Sequence, residues 1–259
     1  MLDWGAYGIS FAAILAFAIA FWIVSLVRND VSIVDSLWSL MFLLMLGVYM
    51  ALADVGGPRA WAVLLMVAVW AIRLSAFITI RNHGQPEDHR YQTIRANNQP
   101  NFGFKSLYIV FGLQAALAGV IAIPLLAGAS GSAPIGWLDY AGVALWTIGM
   151  YFEVVGDNQL KRFRDDESNR GKVLDTGLWS LTRHPNYFGE FTLWWGYYCL
   201  ALSAGGWWTI YAPLLMTVLL LKVSGVSLLE SSIKGRRPAY ADYIKNTNAF
   251  FPGLPKSGR

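Results

Sequence analysis

Seven runs of apolar residues, near 7–27, 32–53, 58–80, 106–128, 136–156, 187–204 and 207–227, constrain this chain more than any other feature of its sequence. Each approaches the ~20 mostly apolar residues that a helix needs to cross a bilayer. Hydrocarbon offers backbone groups no partner, so such runs must satisfy their own hydrogen bonds, which a helix does and an open strand does not. Composition agrees: 56% of the 259 residues are hydrophobic and 14% are charged, against about 25% charged in soluble domains. The expected fold is an all-α integral membrane protein with about seven transmembrane helices, a single membrane domain over 1–259. The first run is too long for a signal-peptide core, and Met1 to Tyr7 carries only Asp3, so it reads as a retained span.

Charge orients the spans. Eighteen of the twenty Lys and Arg residues fall on one face of a seven-span arrangement, Arg59 stands alone on the other, and Arg73 lies within a run. The positive-inside rule places the rich face in the cytoplasm, with the N-terminus outside and the C-terminus inside. A bacterial inner membrane is the expected location. The basic balance is then a topology signal, and no soluble basic face suggests a nucleic-acid partner. The single cysteine, Cys199, excludes a disulfide framework and a cysteine-rich metal site. His83 and His89 lack zinc-ligand spacing, so no metal is expected. No G-x-G-x-x-G or phosphate-binding loop precedes a helix, which excludes a Rossmann domain.

The inner segments hold the chemistry. Asp35, Arg73, Glu153 and Glu190 lie within or at the ends of apolar runs. An ionisable group at mid-bilayer costs at least ~2.5–3.5 kcal/mol, so such groups default to function, with partners facing the bundle interior. Arg73 could instead snorkel, or pair structurally with Asp35. In 181-LTRHPNYFGE-190, Pro185 suits the first turn of a helix. Steps of four then set Asn186, Glu190 and Trp194 on one face, a polar-to-aromatic stripe. In 153-EVVGDNQLKRFR-164, Glu153, Asp157, Lys161 and Arg164 share a face and could pair at i,i+4. Acids suit hydroxyls and bases suit phosphates, as a nucleotide requires. Lys172, Arg183 and His184 add phosphate-competent donors. Tyr187 sits within the same motif, and Arg237, Tyr240 and Tyr243 of the tail complete the candidate cofactor set.

With these residues in view, the chain resembles the membrane steroid 5α-reductase-like family, in its bacterial branch. The resemblance is carried by 149-GMYFEVVGDNQLKRFR-164, 177-GLWSLTRHPNYFGE-190, 194-WWGY-197 and 240-YADYIKNTNAFFP-252. It covers the C-terminal half, about Gly149 to Pro252, and the N-terminal half loosely, with 82-NHGQP-86 similar to the family's N-x-G-x-P turn. It implies seven helices around a cytosol-facing cavity, NADPH held along the inner half by 149–252, and hydride transfer to the β-carbon of a lipid-like enone. By matched position, Asp157, Arg164, Lys172, Asn186, Glu190 and Trp194 would contact NADPH. Glu153 stands where the steroid enzymes have an asparagine. Asp35, in 33-IVDSLW-38, matches the family's acidic group on the second span. The family's carbonyl-polarising tyrosine of the third span has no match, and Gln85 stands where the family's turn has an arginine. Tyr91 or Arg73 would then supply the electrophile beside Asp35, or Asp35 itself would donate to the carbonyl oxygen if burial keeps it protonated.

A second resemblance leads to a different enzyme class. Isoprenylcysteine and phospholipid methyltransferases share an R-H-P-x-Y-x-G run and a tail with Glu, paired Tyr and Pro. Here these are 183-RHPNYFG-189, Glu230, Tyr240, Tyr243 and Pro252. That resemblance implies S-adenosylmethionine. Asn186 followed by Glu190, and the acid–base face ahead of the motif, favour the reductase. Its partners would be the bilayer and a hydrophobic small molecule.

Overall fold

The computed structural model describes residues 2–223 and 239–254. Among them every regular element is helical. Besides a short 3-10 turn at Glu167–Asn169, they are in chain order α1 (Trp4–Arg28), α2 (Ile33–Leu52), α3 (Pro58–Asn82), α4 (His89–Asn97), α5 (Phe102–Ser130), α6 (Trp137–Asp165), α7 (Leu178–Leu181), α8 (Pro185–Ser203), α9 (Trp207–Lys222) and α10 (Ala239–Asn246). Seven of them fall on the seven apolar runs. Four, α1, α2, α3 and α5, are long and apolar enough to cross a membrane by length and composition. α6 and α8 mix their apolar residues with acids, amides, Tyr and Trp, and α9 is shorter, so an exact seven is not met on that measure. Arg237 and Glu230 lie outside the described residues.

The described chain clusters into two compact units: Met1–Ile135 with Leu200–Ala212, and Gly136–Cys199 with Pro213–Arg259. In the first, α2 packs against α1, α3 and α5. Met41, Phe42, Met45, Leu46 and Tyr49 of α2 are fully buried, whereas Val27 of α1 and Leu65 and Ile80 of α3 are exposed. Apolar side chains on the outer helices are what a hydrocarbon solvent permits. Ser39 Oγ donates to Ala71 O at 2.9 Å, tying α2 to α3. Arg59, buried at the start of α3, donates from Nη1 to Ala133 O at 2.8 Å and from Nη2 to Pro134 O at 2.9 Å, clasping the segment after α5.

In the second unit α6 and α8 are joined by glycines. A Cβ on Gly149 would stand 2.6 Å from Gly189 O, one on Gly189 2.6 Å from Gly149 O, and one on Gly196 2.7 Å from Gly142 O. Gly142, Gly149 and Gly156 recur every seven residues on α6, and Gly189 and Gly196 do so on α8. Small residues at heptad spacing let two backbones approach closely along one line, the packing that apolar helices use where no hydrophobic drive separates them from lipid. The next step along that line puts Pro185 Cγ 3.3 Å from where a Gly156 Cβ would be. The chain thus lays the start of α8 onto the polar half of α6.

Candidate functional site

That crossing builds the site. Glu153, Asp157 and Glu190 are all buried on the two helices. Asn186 Nδ2 donates to Asp157 Oδ1 at 3.2 Å, linking the motif of α8 to the acidic face of α6. Glu190 Oε1 accepts from Trp194 Nε1 at 2.8 Å, four residues further along α8. Of the stripe expected from spacing, Glu190 and Trp194 are bonded to each other, and Asn186 is bonded across to α6. Deeper along the same pair, Trp146 Nε1 donates to Tyr197 Oη at 3.0 Å. Glu153 lies against Gly189, its Cγ 2.8 Å from where a Cβ would stand.

The short helix α7 and the tail wedge the motif in place. Trp179 Nε1 donates to Gly156 O at 3.1 Å, and Leu178 N donates to Gln159 Oε1 at 3.0 Å. Tyr243 Oη donates to Trp179 O at 2.5 Å, and Thr182 Oγ1 donates to Phe250 O at 2.8 Å. Tyr240 is buried beside Tyr243, their ring centroids 5.6 Å apart.

Several sequence expectations change role. Arg183 is buried and donates from Nη1 to Thr247 O at 2.6 Å and to Ile244 O at 3.2 Å. Those are carbonyls at the C-terminal end of α10, where helical carbonyls lack intrahelical partners. Arg183 thus caps a helix with donors expected for phosphate. His184 is fully buried rather than facing an interface, and stacks on Tyr187 with centroids 5.6 Å apart. Lys161 does not pair with Asp157; its Nζ reaches Asp165 at 2.6 Å, exposed to solvent. Arg164 and Lys172 are exposed. The structure brings Glu153, Asp157, Asn186, Glu190 and Trp194 together as a seam and leaves the basic residues at its periphery or in the scaffold.

In the first unit, Asp35 meets Tyr91, one of the two residues expected beside it, together with Arg90, which was not expected. Its two oxygens accept from Arg90 Nη2 and Tyr91 Oη, each at 2.6 Å. Arg73 is not among its partners. Both oxygens of Asp35 act as acceptors, so Asp35 orients Arg90 and Tyr91. Asp88 caps α4 by accepting from Arg90 N at 2.9 Å and also accepts from Arg90 Nε at 3.0 Å. Burial, then Asp35, pushes the Tyr91 phenol well above its usual range. Burial opposes charge on Arg90, but Asp35 and Asp88 outweigh it and hold the guanidinium protonated. Arg90 was missed in the sequence because it sits in a polar loop among other basic residues, with no spacing that ties it to Asp35, 55 positions earlier.

Buried acids and an amide on close-packed helices, in a chain with several helices apolar enough to cross a membrane, define a helical protein compatible with integral membrane insertion. The chain belongs to the family described as proteins of unknown function, DUF1295, whose model matches residues 21–247. It is also similar to 3-oxo-5-alpha-steroid 4-dehydrogenase 1 of Bos taurus, at 36% identity over 26% of this chain and 26% of that protein. A similar match, 40% identity over 25% of this chain and 22% of the relative, joins it to probable O-methyltransferase ustE of Ustilaginoidea virens. The chain thus covers about a quarter of the length of each of these curated relatives. No solved structure matches.

Proposed function

We propose that the chain is a membrane enzyme whose α6–α8 seam binds NADPH, and that it reduces a C=C bond conjugated to a carbonyl in a hydrophobic, lipid-like substrate. The observation that carries the reading is the Asn186–Asp157 hydrogen bond, which joins the R-H-P-N-Y-x-G-E motif to the acidic face of α6. Buried carboxylates are fitted to accept from ribose hydroxyls, and the Asn186 amide offers both a donor and an acceptor. Arg164 and Lys172, exposed beyond the seam, are suited to phosphate. Trp194 would close the apolar end. NADPH, when bound, supplies the hydride. In the first unit, taken by itself, Asp35 holds the Tyr91 hydroxyl and the Arg90 guanidinium in fixed geometry. The similarity to a steroid dehydrogenase supports this reading.

A second reading, an S-adenosylmethionine-dependent methyltransferase, is favoured by one observation. The buried seam is acidic and Arg183 is committed to α10 carbonyls, which suits a cationic cofactor. The similarity to an O-methyltransferase points the same way.

The tryptophans support a topology. The five exposed ones among the described residues are Trp4, Trp61, Trp137, Trp207 and Trp208. Each stands in the first turn of α1, α3, α6 or α9, the alternate helices that start on the base-poor side if all seven runs cross. Tryptophan gathers at membrane–water interfaces, so the pattern supports seven crossings with the N-terminus outside.

The test is calorimetry on detergent-solubilised full chain. NADPH should bind, and Asn186→Ala and Glu190→Ala should each weaken it by roughly ten- to a hundredfold, the effect of stranding a buried polar partner. Tight S-adenosylmethionine binding without NADPH binding would reverse the ranking.

A further inference from the structure

A pocket of about 260 Å³ lies in the first unit, between the C-terminal end of α1 and the start of α5. It has room for about eight water volumes of ~30 Å³ each. Its wall is polar at the loop side, with Asn29, Arg95, Gln99 and Asn101, and apolar at Leu26. None of these residues takes part in the seam or in the Asp35 group.

Arg95 is held rigidly there. Its Nε and Nη2 meet Glu87 Oε2 and Oε1 at 2.9 and 2.7 Å, a two-pronged pair. Nη2 also donates to Asn29 O at 3.2 Å, and the guanidinium lies 4.6 Å from the Phe102 ring centroid. Its Nη1 makes no hydrogen bond among the described residues, nor do the side-chain amides of Asn29, Gln99 and Asn101. A stacked, clamped guanidinium presents its remaining donors with little ordering cost.

Charge narrows the ligand. Arg95 is the one charged residue in the pocket's lining, and no acid stands among the other lining residues, so the wall offers donors to an anion. A singly charged phosphodiester asks for less countercharge than a phosphate dianion. The position selects the source. α1 and α5 are both apolar enough to cross a membrane, and exposed Val27 and Phe104 stand next in sequence to the lining residues Leu26 and Gly103. From these features we infer that the pocket seats the phosphodiester headgroup of a membrane phospholipid, with Arg95 Nη1 and the three amides as donors and the acyl chains along Val27 and Phe104.

Asn29 and Asn101 allow a clean test. Both adopt left-handed backbone, with φ of 52° and 65°, a region glycine enters without strain. Asn29→Gly/Asn101→Gly therefore removes two amides while keeping the turns. Full-length protein in detergent is titrated with phosphatidylglycerol and read by native mass spectrometry, with diacylglycerol and inorganic phosphate as comparison probes. Wild type should retain one phosphatidylglycerol, and the double variant should bind it roughly tenfold more weakly at unchanged helicity. Diacylglycerol should not be retained, and millimolar phosphate should not displace the lipid. Equal retention by the variant, retention of diacylglycerol, or displacement by inorganic phosphate would each overturn the assignment, the last by making it a site for free anions.

Discussion

Asp157 and Asn186 meet at 3.2 Å although 29 residues separate them, and Asp35 and Tyr91 meet at 2.6 Å across 56. In both cases a polar side chain at the end of an apolar run finds its partner in a loop or motif, as the cost of leaving it unpaired demands. The segment around α4 shows the same logic outside the spans. Glu87 accepts from Arg95 and from Val31 N, and these bonds hold its carboxyl below the ordinary 4.5 although burial pushes the other way. Asp88 is held below 3.8 against burial by Arg90. A depressed carboxylate contributes stability that is complete above its unfolded pKa and is lost as pH falls through the lower folded value. The segment 83–101 should therefore keep its order from neutral pH down to about 4.5, and loosen only below about 4. Pepsin cleavage within 83–101, followed from pH 5.5 to 2.5, measures this. Cleavage that already rises at pH 5.5 would mean that neither carboxylate anchors the segment.

At the level of elements, the pairing of α6 with α8 positions everything else in the second unit. Its cause is the glycine heptad, so Gly149→Ala should be costly: the added methyl meets Gly189 O at 2.6 Å and Leu193 N at 2.7 Å, both backbone atoms that cannot swing away. Overpacking of this kind costs about 1–3 kcal/mol. Gly47→Ala on α2, where nothing lies within 4 Å, should be neutral or better. Thermal melting in detergent compares them, and equal melting temperatures would remove the close crossing as the organising contact. The glycine period was present in the sequence, yet the polar residues beside it drew the reading toward faces of charge. Helix positions were legible because apolar runs have a length set by the bilayer, and α5 and α8 begin and end within four residues of their runs. The stripe of Asn186, Glu190 and Trp194 was legible because i to i+4 spacing is local. The role of Arg183 was not, because the carbonyls it caps belong to α10, over sixty residues away. The same holds for Arg90: a basic residue in a basic loop carries no local mark of the one acid it will meet.

At the scale of the whole molecule, chemistry and topology are linked by the distribution of charge. Nearly all the basic residues fall in alternate segments between the apolar runs and in the tail, and the exposed tryptophans open the alternate helices. A reporter fused at the C-terminus should be active in the cytoplasm only. Activity on the outer side would place the seam's loops away from cytosolic nucleotides. The central claim is that the buried acids of α6 and α8, with the half-buried Asn186 amide, hold a soluble dinucleotide. The most direct measurement is mass spectrometry of the small molecule released on denaturing the purified protein, with Asn186→Ala alongside. The account predicts NADP(H) from the wild type and little or none from the variant. S-adenosylmethionine or its demethylated product from the wild type, with no dinucleotide, would contradict it.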